Sequence, residues 1–311
     1  MFLIQKLKWI REKFLRRITD SLTSLETRQS AVELRIEYIQ EALGRIESRQ
    51  LNHQDNFNLS DNEYRVFSQW GEDGIIQFLL KYVEVEKKIF VEFGVEDYRE
   101  ANTRFLLINN NWSGLVIDGD EDNINRLKSQ RIYWLYNLKA VQAFITKQNI
   151  NQLLKNNGII GEIGLLSIDI DGNDYWVWQA IDVINPVIVS IEYNHRFGSD
   201  IAVTIPYDEN FVRSKVHHSW IYFGASLKAL CLLAKRKGYA FVGCSSNGVN
   251  AFFIRKDAKP DNIREVSPEE GYVQGQFCEV RNENGELSKI MSLEEERLLV
   301  MSLPLVYVED I

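Results

Sequence analysis

From residue 88 onward the chain repeats one pattern: a short, nearly all-apolar run, then a helical spacing of about ten to fifteen residues. The apolar runs at 88–93, 115–118, 132–137, 164–170, 187–193, 239–243 and 250–255 read as strands. Helical stretches lie near 73–84, 100–110, 121–130, 146–156, 174–184 and 222–237. Strands separated by helices pair in parallel, because a parallel neighbour needs a crossover. Runs such as LLSIDI and VIVSIEY do not alternate with polar residues, so both faces of their sheet are covered. The pattern predicts an α/β domain with a mainly parallel seven-stranded sheet. Only the last two strands lack an intervening helix; Asn247-Gly248 between them reads as a hairpin turn.

The region upstream follows a different rule. Leu22, Leu25, Val32, Ile36, Ile39, Leu43 and Ile46 alternate three and four apart, interrupted only by Gln29. This is a heptad seam of about four heptads, with charged flanks such as Glu26, Arg28, Glu33 and Arg35. So narrow a stripe needs a partner, which predicts self-association. The competing reading is a helix folded back on its own domain. Before the seam, Phe2, Leu3, Ile4, Leu7, Trp9, Ile10, Phe14 and Leu15 interleave with Lys6, Lys8, Arg11, Lys13, Arg16 and Arg17. Residues 1–18 thus have the composition of an interfacial helix that meets an anionic membrane surface, or they continue the coiled coil. Bases fall too often for a signal peptide, and no apolar run is long enough to span a bilayer. The expected organisation is a basic amphipathic and coiled-coil helix (1–50), a polar linker (51–62), the α/β domain (63–257) and a loop-rich extension (258–311).

Charge separates these parts. The net charge is −8, yet residues 1–20 alone carry +4, so the rest carries −12. An acidic body argues against nucleic acid as a partner. Cys231, Cys244 and Cys278 have neither zinc-site nor disulfide-framework spacing, and a reducing cytoplasm is the expected setting, with the basic helix against the inner face of the membrane as a variant.

In parallel sheets, ligands sit beyond the carboxyl ends of the strands. Strand one ends in Val91-Glu92-Phe93-Gly94, where the glycine permits a tight turn and close backbone approach. No GxGxxG follows, which disfavours a dinucleotide pyrophosphate. Strand two ends at Asp118, placed to accept both hydroxyls of a ribose. Strands four and five end in Asp169-Ile170-Asp171-Gly172 and Ile191-Glu192-Tyr193-Asn194-His195. Adjacent strands would bring Asp169 and Glu192 together, an arrangement that calls for a shared proton or a hard divalent cation. Asp171 and Asp174 read equally well as turn and cap residues.

Over about residues 64–257 these motifs resemble the FkbM-type family of S-adenosylmethionine-dependent methyltransferases, which are Rossmann-like. The matching segments are Ser68-Gln69-Trp70-Gly71-Glu72-Asp73, Val91-Glu92-Phe93-Gly94, Trp112-Ser113-Gly114-Leu115-Val116-Ile117-Asp118, Ser167-Ile168-Asp169-Ile170-Asp171-Gly172 and Val189-Ser190-Ile191-Glu192. The resemblance implies S-adenosylmethionine as cofactor. Glu92 and Gly94 would lie at its methionine part, Asp118 at the ribose, and Gln142, Ala143 and Phe144 at the adenine, with Glu72 of the opening motif nearby. It also implies a hydroxyl acceptor on a sugar, glycan or related metabolite. One departure stands out: the family's glycine four residues after Gly94 is Tyr98 here, so the loop is expected to be built differently.

Methylating a hydroxyl requires removal of its proton. The expected agents are Asp169, Glu192 and Asn194 around Mg²⁺ or another divalent cation, with Asp169, His218 or His195 catalytic. Two rivals remain. Asp169-Ile170-Asp171 is also the DxD string of metal-dependent glycosyltransferases, and a degenerate loop would suit an inactive coiled-coil scaffold.

Overall fold

The computed structural model describes residues 2–51, 57–277, 279–288 and 291–310, with the backbone alone for Leu3, Ile4, Ile10 and Asp310. Residues 52–56 of the expected linker and Cys278 therefore lie outside the described residues, as do three apolar side chains of the basic helix. The chain divides into two units, 1–46 and 47–311.

The first unit belongs to one continuous helix, α1 (Phe2–Gln50). Its seam side chains from Leu22 to Ile46 are exposed within the chain, as are Phe2, Leu7, Trp9 and Phe14. No helix among the described residues is long and apolar enough to cross a membrane.

The second unit runs α2 (Glu72–Tyr82), β1 (Ile89–Phe93), α3 (Arg104–Asn109), β2 (Ser113–Asp118), α4 (Glu121–Ser129), α5 (Arg131–Leu135), β3 (Leu138–Gln142), α6 (Ile150–Asn156), β4 (Gly161–Ile168), α7 (Asp174–Ala180), β5 (Ile184–Glu192), β6 (Val203–Thr204), α8 (Arg213–Val216), α9 (Leu227–Lys237), β7 (Tyr239–Cys244) and β8 (Asn250–Arg255). It closes with α10 (Pro268–Gly271), α11 (Leu293–Met301) and β9 (Val306–Tyr307). The main sheet has the order β3-β2-β1-β4-β5-β8-β7. Strands β1 to β5 pair in parallel, and β8 inserts antiparallel between β5 and β7. That order, with its reversed penultimate strand, is the Rossmann-like methyltransferase sheet. Apolar side chains of alternate register fill the two faces: Val91, Leu115, Leu166 and Val189 on one, Phe90, Val116, Leu165 and Ile188 on the other. Both faces are thus dry, as the unbroken apolar runs require.

One strand was misplaced by the sequence pattern. Residues 132–137 are not a strand: 131–135 form α5, and β3 follows at Leu138–Gln142. The β-favouring Ile132, Tyr133 and Trp134 obscured the helical turn, while β3 is an edge strand whose outward Lys139 breaks the apolar run.

The extension after 257 completes the body. β9 pairs antiparallel with β6 in a two-stranded sheet. Val280 and Val300 pack with Phe197, Val203 and Ile221 of the segment that follows β5. The buried Arg196 guanidinium lies between Glu279 (3.3 Å) and Glu296 (2.6 Å).

Tyr98 occupies the departure from the glycine pattern. Its φ is +65°, the left-handed conformation a glycine would take. The backbone form is thus kept, and the ring is buried with its hydroxyl 2.9 Å from Thr103 Oγ1. Left-handed φ costs a non-glycine residue ~1–2 kcal/mol, whereas emptying a buried aromatic site costs about 3–5 kcal/mol. Packing wins, so Tyr98→Gly should destabilise the body by about 2 kcal/mol and lower its thermal midpoint by about 4–8 °C. A midpoint that rises in differential scanning calorimetry would refute this balance.

Candidate functional site

A cavity of about 460 Å³ opens at the carboxyl ends of β1, β2, β4 and β5. Its position follows from the sheet: neighbouring parallel strands end together, and their turns diverge around a shared mouth. Gly94, at φ +70°, forms its floor. A Cβ on Gly94 would fall 1.7 Å from the carbonyl oxygen of Asp169, so the β1 turn lies directly against the β4 turn.

Glu92, on β1, lies just below. Its carboxylate accepts from Asn102 N (2.8 Å), Thr103 N (3.0 Å) and Thr103 Oγ1 (2.5 Å). These bonds hold the far end of the loop that Gly94 begins. Burial still outweighs the donors and pushes the carboxyl up to about 7. Asp118, the last residue of β2, holds the near end: it accepts from Glu96 N (2.8 Å), Asp120 N (2.8 Å) and Asn123 Nδ2 (3.3 Å). Asp118 Oδ2 takes one of these bonds and retains a lone pair. Ala143, Phe144 and Ile145, after β3, line the adjoining wall, with Ala143 N donating to Asp118 O at 2.9 Å.

Opposite stand the acids of β4 and β5. Asp169 is hydrogen-bonded to Glu192, and both carboxyls are held well above the usual range by burial first, then by neighbouring like charges. Glu192 Oε2 is buried with no hydrogen-bond partner. Asp171, exposed at φ +53°, joins them: one carboxylate oxygen from each of Asp169, Asp171 and Glu192 lies within 4.8 Å of the others. Asp174 shapes this turn by accepting from Ile170 N (2.8 Å) and Gly172 N (2.9 Å). Arg213, from α8, donates to Asp171 at 2.5 Å, forms an ion pair with Glu279, and stacks on Phe223, 3.9 Å to the ring centroid.

The cavity therefore collects Glu92, Gly94, Asp118, Ala143, Phe144, Asp169 and Glu192 as expected. The other expected residues stand elsewhere. Asn194 donates to Ile221 O (2.8 Å) and Phe223 O (3.1 Å) and accepts from Arg196 N, so its amide is consumed in holding the following segment. The acid that lies beside Asp169 and Glu192 is Asp171. His195 is buried outside the cavity lining, packed edge-on to Phe277, and burial beside Arg196 pushes its pKa down to about 3. His218 is an exposed ring stacked on His217, also outside the lining. Gln142 is outside the lining and donates to Gly119 O at 3.0 Å. Glu72 sits behind the wall, accepting from Asn250 Nδ2 and Trp70 N. Sequence reasoning missed Arg213, Phe211, Phe277 and Glu279, which reach the cavity from loops without a periodic signal.

The charge of the lining is one-sided. Glu92, Glu96, Glu100, Asp118, Asp169, Asp171, Glu192 and Glu279 face a single cation among the described lining residues, Arg213.

No family model and no curated protein matches the sequence. Solved structures do. The N-terminal domain of EvdMO1 with SAH bound is 11% identical at a TM-score of 0.41, covering 68% of this chain and 94% of that one. A S-adenosylmethionine-dependent methyltransferase from Clostridium acetobutylicum ATCC 824 is 11% identical at 0.37, covering 59% and 89%. M. capricolum TrmK in complex with S-adenosyl-homocysteine is 12% identical at 0.35, covering 63% and 74%. Likeness this distant carries no argument about chemistry, and the strand order alone identifies the fold.

The raised carboxyl of Glu92 has a thermodynamic signature. With a folded value of about 7 against an ordinary 4.5, the folded chain keeps a proton that the unfolded chain loses. The associated stability is full below pH 4.5 and is lost as pH rises through 7. Thermal midpoints measured across that window should fall less steeply with pH in Glu92→Gln than in the parent; parallel curves would contradict the assignment.

Proposed function

We propose that the chain is an S-adenosylmethionine-dependent O-methyltransferase of FkbM type, with a hydroxyl of a sugar, glycan or related small molecule as acceptor. The observation that carries this reading is the sign of the cavity: eight acidic side chains face one guanidinium, and the acids stay in excess even with protons retained on Glu92 and on the Asp169–Glu192 pair. A sulfonium with an α-ammonium group is cationic where it meets these acids. A sugar nucleotide could bring its pyrophosphate to this wall only with a bound cation to screen the acids, whereas the cationic cofactor needs none, which favours methyl transfer over the DxD glycosyltransferase reading. The FkbM assignment rests on the motifs at 68–73, 91–94, 112–118, 167–172 and 189–192.

S-adenosylmethionine, when bound, supplies an electrophilic methyl group. The chain's own residues would bind and orient it. Gly94 leaves backbone exposed to the methionine part, with Glu92 and Asn102 beside it; Asp118 offers its remaining lone pair to the ribose; Ala143 and Phe144 border the adenine. A ~460 Å³ cavity suits a ligand of this size. Asp169, in its ionised form, would take the acceptor's proton; what supports this is that it lines the cavity and neither His195 nor His218 does. The Asp169, Asp171 and Glu192 oxygens also fit a hard divalent cation, and the orphaned Glu192 Oε2 is the buried atom that such an ion would satisfy. When bound, the ion would acidify and orient a hydroxyl.

Titration calorimetry with S-adenosylmethionine, S-adenosylhomocysteine and a UDP-sugar separates the readings. The two sulfur ligands should bind, and Asp118→Ala should weaken them by about tenfold or more. Binding of the UDP-sugar alone, or of nothing, would overturn the proposal.

The cation arm has its own measurement. Magnesium or manganese must displace the proton shared by Asp169 and Glu192, so its affinity should rise with pH, and Asp169→Asn should abolish it together with methyl transfer. Undiminished transfer by Asp169→Asn would remove Asp169 from the chemistry.

A further inference from the structure

The exposed seam of α1 specifies more than a partner. With Leu22 at heptad position a, the a positions are Leu15, Leu22, Gln29, Ile36 and Leu43. The d positions are Ile18, Leu25, Val32, Ile39 and Ile46. Their apolar members are between 41% and 60% exposed, although the helix that carries them is unbroken. Helices draw most of their stability from packing an amphipathic face, so a stripe left open over this length is an incomplete structure. Upstream the seam stops cleanly, because the next d and a positions are Arg11 and Lys8.

We propose that residues 15–46 form a parallel, in-register coiled coil of three or four copies of this chain. This inference stands apart from the methyltransferase reading and does not depend on it.

Charge complementarity sets the direction. The e positions carry Glu26, Glu33 and Glu47, and the g positions carry Arg28 and Arg35. In a parallel assembly the g side chain meets e of the next heptad on its neighbour, so Arg28 faces Glu33. An antiparallel pair would set e against e and g against g, acid on acid and base on base.

Side-chain shape sets the copy number. Three of the five a positions are Leu and four of the five d positions are β-branched. Leu at a with Ile at d favours three or four strands over two. Gln29 sets the register. It is the single polar residue of the seam, and its amide donates to Glu33 of its own helix at 2.9 Å. In register, the Gln29 amides meet one another; one heptad out, each would be buried against Leu or Ile with an unmet polar group.

Sedimentation equilibrium on the full chain, 36.3 kDa, should give three or four times that mass. A monomer or dimer mass overturns the proposal, as does a chain that stays monomeric until vesicles of anionic lipid are added. Ile36→Lys combined with Ile39→Lys should yield a monomer whose α/β body melts at the parent temperature. If that variant remains assembled, the seam is not the interface. For direction, Arg28→Glu with Arg35→Glu should weaken assembly by about tenfold or more, and adding Glu26→Arg with Glu33→Arg should restore it. Assembly insensitive to both changes would mean an antiparallel arrangement and overturn the proposal.

Discussion

The cavity depends on how closely two turns approach. The backbone at Gly94 lies against the carbonyl of Asp169, leaving no room for a single carbon between them. Because of that contact, the loop after β1 and the loop after β4 share one wall, and Glu92, Asp118 and Asp169 face a common space. Everything polar in the site is arranged around this apposition. Glu92 and Asp118 grip the two ends of one loop through backbone N–H groups, and Asp174 grips the turn of the other. The carboxylates therefore act on two levels: some fix the backbone, and the oxygens left over present negative charge to the cavity.

That division explains why the acids are tolerated. Buried carboxylates are costly unless donors, protons or cations compensate. Asp73 and Asp174 are met by backbone N–H groups. Asp169 and Glu192 have only each other and the field of Arg213, which does not offset burial and the neighbouring acids, so their proton affinity stays well above the usual range. The site is thus built with charge that only an incoming cationic group or a retained proton can balance.

The strands, their buried faces and the residues at their carboxyl ends were legible in the sequence, because each leaves a local mark: an apolar run, then a glycine or an acid. Gly94, Asp118, Asp169 and Glu192 were found in this way. The third acid was not, because Asp171 beside Gly172 has the local mark of a turn residue, and only the fold shows that it reaches Asp169 and Glu192 while Asn194 spends its amide on Ile221 and Phe223. The histidines misled for a related reason. Proximity in sequence to a strand end placed His195 near the mouth, yet the helical turn after β5 carries its ring behind Phe277. Arg213, Phe277 and Glu279 left no mark because loops far apart along the chain bring them together.

Arg213 joins three parts of the chain: its own segment after β5, Asp171 on the β4 turn, and Glu279 in the extension after residue 257. Arg196 ties the same extension a second time through Glu279 and Glu296. The segment after β5 and the C-terminal extension are therefore one module divided by the β7–β8 hairpin. In recombination between related chains, natural or in the laboratory, the two pieces must travel together. A crossover placed in the hairpin would separate Arg196 and Arg213 from Glu279 and Glu296 and leave both halves with unmatched charge.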